Sequence, residues 1–127
     1  MPQTLFTDLA PAPIGPYSQA VWAGNMLFIS GQIAIDPTNN HLVTDNIIAE
    51  TEQVMKNLRA ILAEAGLTFD DVVKTGIFLR TMDNFVAVNG VYGTYFPNGY
   101  APARETVAVA GLPKNVNVEI SMVAYRQ

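Results

Sequence analysis

The amino-acid sequence predicts an α+β domain in which two helices pack on one face of a mixed β-sheet. Three observations predict this fold: strand-like segments at both ends of the chain, a long central segment with apolar residues at helical spacing, and a shorter helical segment between two later strands. Because 127 residues is a usual length for one domain and no linker or repeat interrupts them, we assign residues 1–127 to a single domain.

The first third of the chain predicts a β-hairpin preceded by a loop. Prolines stiffen the loop at residues 10–16, APAPIGP. Two strand-like segments, YSQAVWAG and NMLFISGQI, meet at Gly24-Asn25, which is typical of a tight hairpin turn. Residues 36–41, DPTNNH, predict a further turn, and the first residues of the chain can add one more strand.

Two amphipathic segments predict the helices, and the β-branched segment 71–80 predicts a strand between them. The first helix is expected from Asn46 to Ala65 and ends at Gly66. Its apolar residues recur at steps of three and four: Ile47, Ile48, Val54, Met55, Leu58, Ile61, Leu62 and Ala65. Asp83 is expected to cap the second helix. That helix carries one apolar face: Phe85, Val88, Tyr92, Tyr95 and Phe96.

Alternation along the last two strands, residues 104–110 and 116–125, sorts their side chains between the two faces of the sheet. In the later strand one face is apolar and is expected to pack on the helices: Val116, Val118, Ile120, Met122 and Ala124. Glu119 points to the opposite face. In the earlier strand Val107 and Val109 are expected to face the helices. The remaining residues of that strand are then expected on the helix-free face: Arg104, Thr106, Ala108 and Ala110.

Two interpretations of this predicted pairing of charges remain open. Arg104 and Glu119 can form an ordinary cross-strand surface ion pair, worth under about 1 kcal/mol, which the pattern by itself favours. Alternatively, the helix-free face is covered by another copy of the chain, and the two charges line a cleft at the boundary. Only 14% of the residues are charged, which suggests that some apolar surface is covered in this way.

Composition excludes several classes of partner. The net charge is −4 and the seven basic residues are scattered, so we expect no nucleic-acid partner, which would need clustered lysine and arginine. The absence of cysteine excludes disulfides, thiolate nucleophiles and cysteine metal ligands. There is neither a signal-like pattern at the N-terminus nor an apolar run of about 18 residues, so we expect a cytoplasmic protein with no membrane partner.

The remaining side chains narrow the chemistry. The single histidine, His41, lies in a predicted turn, so we expect neither a Ser-His-Asp triad nor a metal site. Asp70 and Asp71 lie between a helix and a strand, where a capping role is expected. What remains is an arginine, a glutamate, hydroxyls and backbone amides. Such groups can bind a small carboxylate and direct a water molecule onto an imine, because a protonated imine is already electrophilic.

Several motifs together resemble the YjgF/RidA family of enamine/imine deaminases. They are GPYSQAV, FISGQI, NFVAVNGVY, APARETVAVAGLPKNVNVEI and VAY, and the similarity runs essentially from end to end. The resemblance implies a chorismate mutase-like fold, with two helices on one face of a mixed sheet. It also implies a closed homotrimer with a ligand cleft at each subunit interface.

The resemblance also implies roles for particular residues. Arg104 would hold a substrate carboxylate, and Glu119 would orient and deprotonate the attacking water. Other residues would line the substrate pocket: Tyr17, Ser30, Gly31, Asn89 and Thr106. At Thr106 many members of the family carry cysteine instead.

The implied reaction is hydrolysis of 2-aminoacrylate-type enamines, through their 2-imino acid tautomers, to 2-keto acids and ammonia. No metal or organic cofactor is expected. Two alternatives remain: a regulatory or stress-response trimer that binds keto acids without relevant turnover, and an endoribonuclease. The acidic composition weighs against the endoribonuclease.

Overall fold

The computed structural model describes all residues, Met1–Gln127, and confirms the α+β fold with two helices on one face of a mixed sheet. The strands and helices are, in chain order: β1 Gln3–Leu5, β2 Ala20–Ala23, β3 Met26–Gln32, β4 Ile35–Asp36, β5 His41–Leu42, α1 Ile47–Glu64, β6 Val72–Leu79, α2 Phe85–Gly93, β7 Ala103–Ala108 and β8 Val118–Tyr125. Six strands form one sheet in the order β1-β2-β3-β8-β6-β7. The β6–β7 pair is parallel and all other pairs are antiparallel.

Helix α1 confirms the prediction closely. The Asn46 side chain caps it by accepting a hydrogen bond from the Ala49 backbone N–H at 2.8 Å. Gly66 follows the helix with a φ of +75°, the left-handed conformation that glycine adopts without strain. On the buried side of the helix the predicted apolar residues Val54, Met55, Leu58, Ile61 and Leu62 are fully covered, beside the buried polar side chains of Glu50, Thr51 and Asn57. Neither helix is long and apolar enough to cross a membrane.

The start and end of α2 differ from the prediction. Thr81, not Asp83, is the capping residue: its hydroxyl accepts the Asp83 N–H at 3.2 Å and begins a short 3₁₀ turn before the helix. Helix α2 ends at Gly93, so Tyr95 and Phe96 lie beyond it. Both rings still pack against the core. The predicted apolar surface therefore exists, but two of its members belong to the segment after the helix.

The core lies between the helices and one face of the sheet. Central strand β8 contributes Val118, Ile120, Met122 and Ala124, each at most 2% exposed, as alternation predicted. The predicted turn at residues 36–41 is present, and it joins the two short strands β4 and β5, which the sequence did not indicate.

The prediction for the faces of β7 was wrong. In the parallel pairing with β6, Arg104 lies beside Thr75 and Thr106 beside Ile77, and both of these β6 residues are fully buried towards the helices. Arg104, Thr106 and Ala108 therefore project to the helix side. Val107, 42% exposed, lies on the helix-free face. Both faces of this edge strand carry apolar residues, so only its register with β6 decides which face meets the helices.

Candidate active site

The Glu119 carboxylate lies on the helix-free face of the sheet, over the backbone of Gly31. The neighbours Val118 and Ile120 are buried towards the helices, so alternation along β8 turns Glu119 the other way. A Cβ built on Gly31 would lie 2.8 Å from Cδ of Glu119, closer than real side chains pack. Gly31 thus leaves the space in which the carboxylate sits, at the point where the pairing of β3 with β8 shifts register.

The Glu119 carboxyl is partly buried, which makes its charged form less favourable than it is in water. Burial raises the pKa of this carboxyl above its ordinary value of 4.5. The one ion pair within the chain joins Lys74 Nζ to Glu105 Oε1 at 3.1 Å, so Glu119 has no cationic partner in its own chain. A partly buried, unpaired carboxylate with a raised pKa has the properties of a general base.

Glu119 borders a cavity of about 300 Å³, large enough for a small organic acid. The lining residues are Ile14, Tyr17, Ser30, Gly31, Pro113 and Glu119. A smaller recess of about 40 Å³ shares Tyr17, Gly31 and Glu119 with it and extends to the buried Gln19. The structure therefore brings together four of the residues predicted from the sequence: Tyr17, Ser30, Gly31 and Glu119.

Two hydroxyls in this cavity have their hydrogen-bonding roles set by the backbone. The Ile14 N–H donates to Tyr17 Oη at 3.2 Å, which leaves the phenolic proton of Tyr17 available to a ligand. Ser30 Oγ donates to the Ser18 carbonyl at 2.6 Å, so Ser30 has only lone pairs left to offer. The cavity therefore presents one donor, Tyr17, beside the acceptors Ser30 and Glu119.

Gln19 holds the loop that forms one wall of the cavity. This side chain is 1% exposed, and its amide nitrogen donates to the carbonyls of Thr7, Ala10 and Pro11. Its oxygen accepts the Thr7 N–H at 2.7 Å. Sequence reasoning assigned Gln19 no role, although it follows directly after the GPYS residues of the first motif.

The remaining predicted site residues lie in a second place, between β7 and α2. The guanidinium carbon of Arg104 lies 5.1 Å from the ring centroid of Tyr92 and 5.9 Å from that of Phe85. Thr106 follows two residues later on the same face, and its hydroxyl is buried without a hydrogen-bond partner. Asn89 lies between Phe85 and Tyr92 at helical spacing, so it shares their side of α2.

These two groups of residues lie on opposite faces of the sheet, with β6 between β7 and β8. The surface ion pair between Arg104 and Glu119 is therefore excluded within one chain. The sequence placed these two charges on one face; the structure instead separates the predicted site residues into two groups. We call residues Tyr17, Ser30, Gly31 and Glu119 the acidic half-site, and residues Asn89, Arg104 and Thr106 the basic half-site.

Comparisons with known proteins agree across nearly the whole chain. The family model described as endoribonuclease L-PSP matches residues 7–126. A RutC family protein of Pyrococcus horikoshii is 47% identical over 127 residues, covering 100% of both chains. A protein of Dermatophagoides farinae named 2-iminobutanoate/2-iminopropanoate deaminase is 46% identical over 117 residues, covering 92% of this chain and 91% of its own.

Solved structures show the same architecture. The YjgF gene product of E. coli superposes with a TM-score of 0.93 at 41% identity, covering 98% of this chain and 99% of its own. E. coli TdcF with bound serine superposes with a TM-score of 0.94 at 35% identity, with the same coverage of both chains.

Proposed function

The chain belongs to the YjgF/RidA family, whose model is described as endoribonuclease L-PSP, and from this premise we propose that it hydrolyses reactive enamine and imine intermediates. The substrates are 2-aminoacrylate and its tautomer 2-iminopropanoate or close homologues, and the products are a 2-keto acid and ammonia. Support comes from the Dermatophagoides farinae relative, which is named for this activity, and from E. coli TdcF, whose bound serine also carries a carboxylate beside a nitrogen.

The observation that carries the proposal is the unpaired Glu119 carboxylate, with its raised pKa, at the edge of a cavity of about 300 Å³. A carboxylate in this condition can take a proton from water and return it later. The cavity matches the size of a small acid, and its Tyr17 and Ser30 hydroxyls supply one donor and one acceptor.

The two half-sites complete each other only between chains. We infer a homotrimer in which the basic half-site of one protomer faces the acidic half-site of the next. Their position on opposite faces of one sheet supports this arrangement, because no single chain can present both to one ligand. The exposed apolar residues on the helix-free face support it further, since Phe28 and Val107 are 49% and 42% exposed.

The proposed mechanism begins with the carboxylate of the substrate, which the planar fork of Arg104 binds through two N–H donors. Glu119 then takes a proton from a water molecule as the water oxygen bonds to the imine carbon. Attack on the protonated imine gives a neutral carbinolamine, which receives that proton on nitrogen. Its C–N bond then breaks, ammonia leaves, and Glu119 takes the proton of the hydroxyl as the C=O bond forms. Ser30 accepts an N–H of the imine, and Tyr17 donates to a ligand oxygen.

RNA is the second substrate class to test, because the family model is described as an endoribonuclease. The net charge of −4 argues against it, since RNA binding draws on clustered cations. Salt-sensitive binding to RNA in the micromolar range would support the nuclease.

A coupled assay tests the proposal. A pyridoxal-phosphate dehydratase acting on serine generates 2-aminoacrylate, and the appearance of pyruvate is followed with and without this protein. We expect this protein to accelerate pyruvate formation. In Arg104→Lys we expect the rate of deamination to fall at least about tenfold, because lysine keeps the positive charge but lacks the planar pair of N–H donors. Pyruvate binding without any acceleration would favour the regulatory binder instead.

The oligomer is tested separately by light scattering on a size-exclusion peak. We expect three times the chain mass of 13.8 kDa. A monodisperse monomer at micromolar concentration would contradict a site shared between chains.

A further inference from the structure

Arg104 is held by aromatic rings and by no carboxylate of its own chain. Its guanidinium carbon lies within 6 Å of the rings of Phe85 and Tyr92, a distance at which a cation is attracted to a ring face. We propose that Phe85 and Tyr92 are positioning residues that orient the Arg104 guanidinium for a carboxylate ligand. This inference rests on the proposed role of Arg104 in binding the substrate.

Stacking on rings suits this role better than an ion pair would. A neighbouring aspartate or glutamate would fix the arginine by occupying its N–H donors, and it would compete with the carboxylate of the ligand. Ring faces attract the charge without accepting those hydrogen bonds. The long side chain of Arg104 is thus restrained while its charge and its donors stay available.

Tyr92 is itself fixed to the strand beside Arg104. Its hydroxyl donates to Thr75 Oγ at 3.0 Å, and both residues are buried. Thr75 is the residue of β6 that pairs with Arg104 in the sheet. The ring is therefore anchored at the level of the arginine backbone by a hydrogen bond to the strand that pairs with β7.

Phe85 offers the sharper test because it is only partly buried and packs at the edge of the core. Phe85→Leu removes the ring but keeps an apolar side chain, whereas Phe85→Tyr keeps the ring. Binding of pyruvate is measured by calorimetry, and KM and kcat by the coupled assay. We expect Phe85→Leu to raise the Kd and the KM between about threefold and thirtyfold, with kcat within about twofold of the original. Phe85→Tyr should bind like the original protein.

Tyr95→Leu is the matched control. Tyr95 also lies under an arginine, with Arg59 at 5.7 Å from its ring, and it also packs at the edge of the core. Its loss should lower stability without changing the Kd for pyruvate. A purely structural role for Phe85 predicts this same outcome for Phe85→Leu, so the two variants together separate positioning from packing.

The outcomes distinguish this inference from the proposed function. Unchanged binding in Phe85→Leu, together with lost binding in Arg104→Lys, would overturn the positioning role and leave the deaminase proposal intact. Unchanged binding in Arg104→Lys would instead overturn the carboxylate role itself. If Phe85→Leu does not fold, Phe85→Met replaces it with the same expectation, and a Kd equal to the original in that variant overturns the inference. Equal losses in Phe85→Tyr and Phe85→Leu would also overturn it.

Discussion

The acidic and basic half-sites are built by different means, although each contains one charged side chain. In the acidic half-site the Glu119 side chain lies against backbone, in space left by the missing side chain of Gly31. In the basic half-site the Arg104 side chain lies against the rings of Phe85 and Tyr92. The first depends on close approach of main chain, and the second depends on packing of side chains.

The foundations of the two half-sites differ as well. Glu50 of helix α1 connects the helix to the start of β8, two residues before Glu119, through its fully buried carboxylate. This carboxylate accepts hydrogen bonds from the backbone N–H and the side-chain amide of Asn117, at 2.7 and 2.8 Å, and from the Val118 N–H at 3.2 Å. Arg104 lies instead on edge strand β7, which pairs on one side only. The acidic half-site is thus the more rigidly anchored of the two within one chain.

The largest effect is expected when the acidic half-site loses its charge and keeps its shape. Glu119→Gln should lower the rate of deamination by a factor of roughly 10²–10⁴, because an amide cannot accept the proton of water. The measured loss will be smaller to the extent that imines hydrolyse without the enzyme. Pyruvate should still bind, since Arg104 remains. Calorimetry and the coupled assay measure both quantities. Parallel loss of binding and turnover would mean a collapsed pocket, and full turnover would rule Glu119 out as the base.

A second variant removes the anchor of the acidic half-site. In Glu50→Gln the new NH₂ group faces N–H donors, so we expect the free energy of unfolding to fall by about 2–3 kcal/mol. Urea denaturation measures it. Glu52→Gln is the control on the same helix: that carboxylate accepts a single hydrogen bond, from Tyr95 Oη at 2.7 Å, and its loss should cost less. Equal losses in the two variants would show that Glu50 is no special anchor.

A third variant fills the space under Glu119. The backbone of Gly31 lies outside the left-handed region, so alanine is permitted there, but its Cβ would displace the carboxylate. We expect Gly31→Ala to lower turnover at least about tenfold, or ~1.4 kcal/mol of transition-state stabilisation. The free energy of unfolding should change by less than about 1 kcal/mol, because the displaced group is the end of a flexible side chain.

Gly90→Ala is the control for this variant. A Cβ at Gly90 meets no atom within 4 Å, and the residue lies in α2, so alanine should stabilise the protein by up to about 1 kcal/mol. Its turnover should stay unchanged. Full turnover in Gly31→Ala would show that Glu119 does not need its place over Gly31.

The smallest effect is a pH dependence confined to the acidic half-site. Since burial raises the pKa of Glu119 above 4.5, the low-pH limb of kcat should lie above pH 4.5. A carboxyl whose pKa rises on folding favours the folded state while it is protonated, and that contribution is lost as the pH rises through the raised pKa. The stability of Glu119→Gln relative to the original protein should therefore increase from pH 4.5 upwards. A limb at or below pH 4.5 would contradict the raised pKa.

Local sequence was sufficient for the elements whose signals lie within a few residues. The capped helix α1, the hairpin at Gly24 and the face of Glu119 on β8 were all predicted, because spacing, turn residues and an uninterrupted apolar face specify each of them locally. The family, and with it the residues proposed for the site, was identified from motifs in the same way.

Only the tertiary structure decided where those residues lie relative to one another. Alternation shows which residues of β7 share a face but not which face meets the helices, and the pairing of Arg104 with Thr75 reversed the prediction. The contact of Arg104 with Phe85 and Tyr92 depends on that pairing. The sequence therefore predicted only that the two rings belong to the apolar face of α2, and gave no sign that they meet Arg104. Packing of distant segments sets such register, and the separation of Arg104 from Glu119 on opposite faces of the sheet follows from it.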